Sequence, residues 1–495
     1  LKAVWLKLAS AAAPRLAPPR YIAARRLGEL GLPEMKACQS LRSGLLRAAP
    51  CRHFSSQSAI VGTLQDKIKA LGEKTVPQVA ALRKEHGAKS LGEVTVGMCI
   101  GGMRGIKCMV SETSHLDPME GIRYRGRTLK ECNEQLTKAE GGKVGLPEAA
   151  FWLLCTDEMP TTEQTRALTA ELHAREDIPE HVLKLIDGLP RDMHPMTQLS
   201  MGLLALQPES SFGKAYRAGA MKKTDYWTHV LDDSLTLIAK IPILSARIFR
   251  NIFFEGKHIP SDKSLDWAGN YAQMLGVNDS EAFKEVTRLY LMIHADHEAG
   301  NVSAHTTHLV GSALSDPFLS FSAGVNGLAG PLHGLANQEC LRWLKATQAT
   351  LGGKEPTVEV LTQFAKDTLA SGKVIPGFGH GALRTTDPRY TIQSEFAKEH
   401  MPDDPLFKLA NVCYQAIPPV LEATGKVANP WPNVDALSGT CMQHFGLNQE
   451  DYYTVVFAVS RSLGCMSNLV WSRMMGLPIE RPKSVTLDWI AKNAK

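Results

Sequence analysis

Three short stretches of the chain hold an ionisable side chain between residues that constrain the backbone. They are Gly327-Leu-Ala-Gly330-Pro331-Leu-His333-Gly334, Ile375-Pro376-Gly377-Phe378-Gly379-His380-Gly381 and Asn429-Pro430-Trp431-Pro432-Asn433-Val434-Asp435. Glycine lets a backbone approach a ligand closely or take positive φ, and proline fixes the entry of a turn. A histidine between glycines is therefore presented on a loop rather than packed under a helix. Taken singly, each has a plainer reading: a turn histidine bonded to the backbone, or an aspartate capping the helix that follows. Together, two such histidines and a proline-framed aspartate make an acid–base set that folding would have to assemble.

Other side chains compete for attention. His294-Ala-Asp296-His297-Glu298 and Ser303-Ala-His305-x-x-His308 form the densest histidine cluster, and His294 and His297 are spaced to share a helix face. No His-Glu-x-x-His and no cysteine partner accompany them, so pocket-lining histidines are favoured over a metal site. Arg461 lies in the apolar run Val455-Val-Phe-Ala-Val-Ser-Arg461, where burial requires an anion, either an internal carboxylate or a ligand. With Arg389 and Arg481 it would suit bidentate clamping of a small dicarboxylate. The run at 377–381 is no phosphate loop, because G-x-x-x-x-G-K-[ST] is absent, and so is the G-x-S-x-G elbow.

The elements that must position these groups read as helices. Pro147-Glu148 opens Ala149–Leu154, Thr161-x-x-Gln164 is a capping box before Ala167–Leu172, and Pro179-Glu180 opens His181–Ile186. Leu231–Phe254 and Tyr452–Met475 are apolar near a 3.6-residue period, and Val358–Leu369 and Leu406–Ala416 are shorter helical segments. Only Glu93–Met109 and Gly121–Tyr124 suggest short strands. Strands and helices do not alternate, which disfavours Rossmann and barrel folds. The loop-rich texture between about Leu335 and Gly446 predicts a smaller domain set into a larger helical one, with the chemistry at the crevice between them.

Bulk properties narrow the partners. Of 495 residues, 44% are hydrophobic and 21% charged, an ordinary globular composition. The formal charge is +5, yet residues 1–58 carry ten Lys and Arg against Glu29 and Glu34, a net of +8 that leaves the rest at −3. A near-neutral body argues against nucleic-acid binding. No run of about 18 uncharged apolar residues exists, so no membrane insertion is expected. The leader is rich in Arg, Ala and Ser and poor in acids, as in an organelle-targeting segment. Met35 is read as the start of translation, with 1–34 an upstream extension, and Arg52-His53-Phe54-Ser55 as a protease cut. The ten cysteines include no C-x-x-C pair and are expected to be reduced thiols.

The motifs coincide with a known family. Gly330-Pro-Leu-His333-Gly-Leu-Ala-Asn337-Gln-Glu339, Pro376-Gly-Phe-Gly-His380, Thr386-Asp-Pro-Arg389-Tyr, Asn429-Pro-Trp-Pro-Asn-Val-Asp435 and Glu480-Arg-Pro-Lys483 closely resemble the citrate synthases, the mitochondrial animal type above all. The resemblance runs from about Thr63 to Pro482. It implies a mainly α, two-domain helical fold with minor short β-strands: a large domain in two parts (59–334 and 447–495) and a small domain (335–446). It implies a homodimer in the mitochondrial matrix, with no metal and no cofactor beyond acetyl-CoA as substrate, condensing acetyl-CoA with oxaloacetate.

By matching position, the resemblance makes Asp435 the base that takes a methyl proton. His333 stabilises the enol or enolate oxygen, and His380 polarises and protonates the oxaloacetate carbonyl. His297, Arg389, Arg461 and Arg481 hold carboxylates, Arg481 across the dimer interface. Arg104, Val374, Ile375, Gly377, Gly379, Arg384, Lys426 and Asn433 correspond to coenzyme A contacts. The chain departs from the family pattern at Leu437, where histidine is usual, and at Ala428 and Lys214, which replace a lysine and an arginine. Those departures motivate a second reading, a non-catalytic structural paralogue. A propionyl-CoA enzyme would share nearly every residue named, and a metal hydrolase built on the 294–308 histidines is the third alternative.

Overall fold

Hydroxyl and proline residues at the expected places divide the chain into helices. In the computed structural model, which describes residues 58–219 and 221–494, Thr161 and Gln164 form the reciprocal capping box of Thr162–Arg175, with N···O separations of 3.2 and 2.9 Å. Pro147 opens Pro147–Thr156, and Pro179 precedes Glu180–Asp187. The expected leader, start and cut sites lie outside the described residues.

The two long periodic stretches become Tyr226–Phe253 and Tyr453–Met474, packed against each other. Tyr453–Met474 is buried nearly all round, so it is the axis of the core rather than a surface helix. Pro147–Thr156, Val302–Ser312 and Pro317–Leu328 surround it. The last two cross closely, because a Cβ on Gly324 would come within 2.1 Å of Thr307 Oγ1 and 2.8 Å of the Ser303 carbonyl. Glycine is what permits that approach.

A three-stranded antiparallel sheet, β1 (Ser114–Asp117), β2 (Gly121–Tyr124) and β3 (Arg127–Thr128), supplies the minor strand content. Gly121–Tyr124 is a strand as predicted; Glu93–Met109 is not. There Thr95 caps a one-turn helix, Val96–Ile100, by accepting from the Met98 N–H, and turns follow. Leu91, Val94, Ile100 and Met103 stay exposed, so the β-prone residues have no sheet neighbour to pair with and no layer to cover them.

Helices Ala336–Leu351, Val358–Ala370, Pro405–Ala423 and Asp435–His444 pack on one another. Pro388–His400 joins them through Asp435–His444, and both of these helices also touch Glu281–Ile293. The loops bearing His380 and Asp435 emerge at this junction.

Candidate active site

Most of the site residues sit at or beyond the ends of helices, while Arg461 lies inside Tyr453–Met474. His294 caps Glu281–Ile293, and His297 lies four residues past its last residue, so the two do not share a helix face as their spacing suggested. The turn between them is tied to the sheet. Asp296 accepts from Thr113 Oγ1 at 2.7 Å and Ser114 Oγ at 2.8 Å, and the Tyr124 hydroxyl accepts from the Asp296 N–H at 3.2 Å. Burial, then the charge of Arg389, push His294 down to about 3 and His297 well below the ordinary imidazole range. His297 Nε2 is buried and has no hydrogen-bond partner among the described residues. Its ring centroid is 5.7 Å from that of His380.

Asn301 is the N-cap of Val302–Ser312 and a junction for the site. Its Nδ2 donates to the carbonyls of His297 and Glu298, both at 3.0 Å. Its Oδ1 accepts from the Ala304 N–H at 3.1 Å, from Ser303 Oγ at 2.8 Å and from Arg461 Nη1 at 3.1 Å. Within the same first turn, the Ser303 N–H donates to His333 Nε2 at 3.3 Å, and Ser303 Oγ lies 2.9 Å from the same nitrogen. An imidazole nitrogen that accepts from an amide carries no proton, so His333 is neutral with its proton on Nδ1. Burial pushes its pKa down to about 4, and the Arg461 charge adds to that.

His380 is held in the opposite tautomer by the same device. Its Nδ1 accepts from the N–H groups of Ala382 and Leu383, both at 3.0 Å, which leaves the proton on Nε2. Burial and then Arg389 lower its pKa. Both histidines are thus fixed as neutral donors by backbone amides.

The loops of His380 and Asp435 are stitched together. Phe378 and Pro432 form an isolated antiparallel bridge, the Gly379 N–H donates to the Trp431 carbonyl at 3.0 Å, and the Asn433 N–H donates to the Gly377 carbonyl at 2.9 Å. Asn433 Nδ2 adds a bond to the Gly379 carbonyl at 3.0 Å. Gly377 and Gly379 sit at φ +79° and +96°, and a Cβ on Gly377 would lie 2.6 Å from Cys340 Sγ and 2.9 Å from Ala436 Cα. Only glycine satisfies both the conformation and the contact.

Asp435 opens Asp435–His444 without capping it; its N–H donates to Asn433 Oδ1 at 3.0 Å. A helix N-terminus favours the carboxylate, as does Arg389, yet burial outweighs both and raises the pKa to about 6. Leu437 is fully buried two residues further on, an apolar residue in an apolar setting.

The arginines divide. Arg461 is 1% exposed, and its guanidinium donates to three uncharged acceptors: the His294 carbonyl at 3.1 Å, Asn301 Oδ1 and Ser303 Oγ. It lies 4.7 Å from the Phe457 ring centroid. The internal ion pair that would have given it a structural role is replaced by neutral contacts, so its charge is available to a bound anion. Arg389 does pair internally, with buried Asp387 at 2.7 Å, through Nε and Nη2. Arg481 is exposed and makes no hydrogen bond or ion pair among the described residues.

The residues matched to coenzyme A contacts are gathered only in part. Ile375, Gly377, Gly379 and Asn433 belong to the stitched loops, and Val374 beside them is 80% exposed. The Arg384 N–H donates to the Pro118 carbonyl, while its guanidinium is turned onto its own loop, at the Ala382 and Leu383 carbonyls (3.0 and 2.8 Å). Lys426 and Arg104 are exposed, and the Arg104 side chain makes no hydrogen bond or ion pair among the described residues. His305 and His308 face Glu480 rather than His294 and His297. Sequence reasoning passed over Asn301, Ser303 and Asp387; an Asn or Asp before a helical run was the available signal for two of them.

Residues 102–483 match the family model described as citrate synthase, C-terminal domain. The mitochondrial citrate synthase of Daucus carota is 52% identical over 432 residues, covering 87% of this chain and 91% of its own. The probable mitochondrial citrate synthase of Glossina morsitans morsitans is 52% identical over 448 residues, covering 90% and 95%. Among solved structures, the ternary complex of Thermoplasma acidophilum citrate synthase with carboxymethyl coenzyme A and oxaloacetate superposes with a TM-score of 0.64 at 20% identity, covering 78% of this chain and 95% of that one. Similarity of that extent along the sequence shows that this chain belongs to the citrate synthase family.

Proposed function

We propose that Asp435, His333 and His380 carry out the citrate synthase reaction in this mitochondrial protein, with His297, Arg389 and Arg461 holding oxaloacetate. The observation that carries the reading is the pair of backbone-pinned tautomers. A thioester methyl is too weak an acid for a carboxylate to ionise unaided. His333, already neutral and protonated at Nδ1, donates to the developing enolate oxygen as Asp435 takes the proton, and no reorganisation is needed at that moment. His380, protonated at Nε2, donates to the oxaloacetate carbonyl, polarises it, and delivers the proton as the carbon–carbon bond forms. Water then hydrolyses the citryl thioester, releasing citrate and coenzyme A. The scheme needs only proton donors, a carboxylate and fixed cations; acetyl-CoA enters as a substrate.

Oxaloacetate brings a negative charge to Arg461, whose guanidinium has neutral acceptors, and an oxygen that can bond His297 Nε2. Its carboxylates would also exchange with Asp387 around Arg389. The junction between the 336–444 helices and the rest supports a large and a small domain that close over the substrates and shield the thioester. A homodimer that supplies Arg481 in trans is supported by that residue's exposure. Uncovered Val302, Leu309 and Leu319 on the two closely crossing helices point the same way. No helix among the described residues is long and apolar enough to cross a membrane.

The test is release of free coenzyme A thiol from oxaloacetate with acetyl-CoA, and in parallel with propionyl-CoA. Faster release with acetyl-CoA is expected. No thiol above background from folded, dimeric protein would overturn the reading in favour of a non-catalytic paralogue.

A further inference from the structure

The Val302–Ser312 helix serves the site with its first turn and carries a second cluster farther along. His305 and His308, three residues apart and so on one face, both meet the carboxylate of Glu480. His305 Nε2 lies 3.2 Å from Oε2, and His308 Nδ1 bonds Oε1. The Glu480 N–H also donates to Ser312 Oγ at 3.0 Å, at the end of the same helix. Glu480 is thus attached through both backbone and side chain. It is the last residue so attached before an exposed, irregular stretch, 481–486, that begins with Arg481.

We infer that Glu480 is a positioning residue for Arg481: clamped between His305 and His308, it fixes the direction in which the guanidinium is offered. The inference rests on the reading above, that Arg481 binds a substrate carboxylate in the partner's site. An arginine on a free strand would lose much of its binding energy in being ordered, and an anchor one residue away removes much of that cost. The same helix bonds His333 and Arg461 at its other end, so a chain's own site and the arginine it lends share one rigid element.

Full-length dimeric Arg481→Ala, Glu480→Ala, Glu480→Gln and the Glu480→Ala/Arg481→Ala double variant would be compared by steady-state kinetics, with dimer content checked by sedimentation velocity. Glu480→Ala is expected to raise the KM for oxaloacetate roughly tenfold with little change in kcat or in the KM for acetyl-CoA, as loss of ground-state binding does. Glu480→Gln, which keeps an acceptor between the imidazoles, should recover part of that loss. The double variant should be no worse than Arg481→Ala alone, because a residue that acts only through another adds nothing once the other is gone. An unchanged KM in Arg481→Ala would defeat the trans reading and this inference with it. A raised KM in Arg481→Ala with none in Glu480→Ala, or effects that multiply in the double variant, would defeat this inference alone. Should Glu480→Ala fail to fold, Glu480→Gln and its double variant with Arg481→Ala carry the same comparison.

Discussion

Asp435 is a carboxylate kept in a place that disfavours its charge. Its folded pKa, about 6, lies above the ordinary value of 3.8, so the native state holds the proton more tightly than the unfolded chain. Stability contributed by the protonated form is therefore lost as pH rises from about 4 to 6, and the full cost, on the order of 1–3 kcal/mol, persists at neutral pH. Asp435→Asn should accordingly abolish turnover, leave oxaloacetate binding nearly intact, and raise the urea unfolding midpoint at pH 7.5, the gain shrinking towards pH 4. A midpoint lowered at pH 7.5 would show that the carboxylate supports the fold instead. In the intact enzyme, kcat/KM should fall about tenfold per unit below a limb near pH 6, because on the proposed reading the base must be ionised while His333, at about 4, stays neutral over most of that range. Arg461→Ala should raise the oxaloacetate KM by roughly a hundredfold, as loss of a charged, desolvated clamp does. Isothermal titration showing undiminished oxaloacetate affinity would remove Arg461 from the clamp.

At the scale of elements, the stitched loops depend on a backbone that only glycine can take at 377. Gly377→Ala forces a methyl against Cys340 Sγ and the Ala436 backbone at positive φ, so it should lower kcat and destabilise by about 1–3 kcal/mol. Normal kinetics with an unchanged melting temperature would mean the loop tolerates repacking. Helices were legible wherever a cap and a period coincided: Thr161, Pro147 and Pro179 each marked a true start. Glu93–Met109 was misread because β-propensity reports side chains that fit a half-buried sheet, and no sheet forms there. The frames around His333, His380 and Asp435 were visible as Gly and Pro spacing. Which nitrogen of each ring accepts was not visible, since the amides of Ser303, Ala382 and Leu383 come into register only on folding. The fate of the arginines was hidden for the same reason. Nothing in the order of residues says that Arg389 finds Asp387 while Arg461 finds only neutral acceptors.

Across the whole molecule, four histidines are concentrated where burial and two arginines keep them uncharged. His294, at about 3, and His333, at about 4, bind a proton far less readily than in the unfolded chain, and His297 and His380 shift the same way. The unfolded state therefore takes up more protons below pH 6.5, and each such histidine removes up to about 1.4 kcal/mol per pH unit as the medium is acidified toward its folded pKa. Chemical denaturation at pH 7.5 and 5.0 should show a marked loss at the lower value, and His294→Gln should narrow the gap. An equal gap in that variant would place the acid sensitivity elsewhere. The bridge between Phe378 and Pro432 carries a different lesson. On the proposed roles it fastens the donor for one substrate to the base for the other, so these two groups would travel as a single machined part in any opening or closing of the site. Adjusting the enzyme to a bulkier acyl chain would then have to proceed by reshaping the walls around that part, since shifting either reactive group by itself would tear the seam that aligns them both.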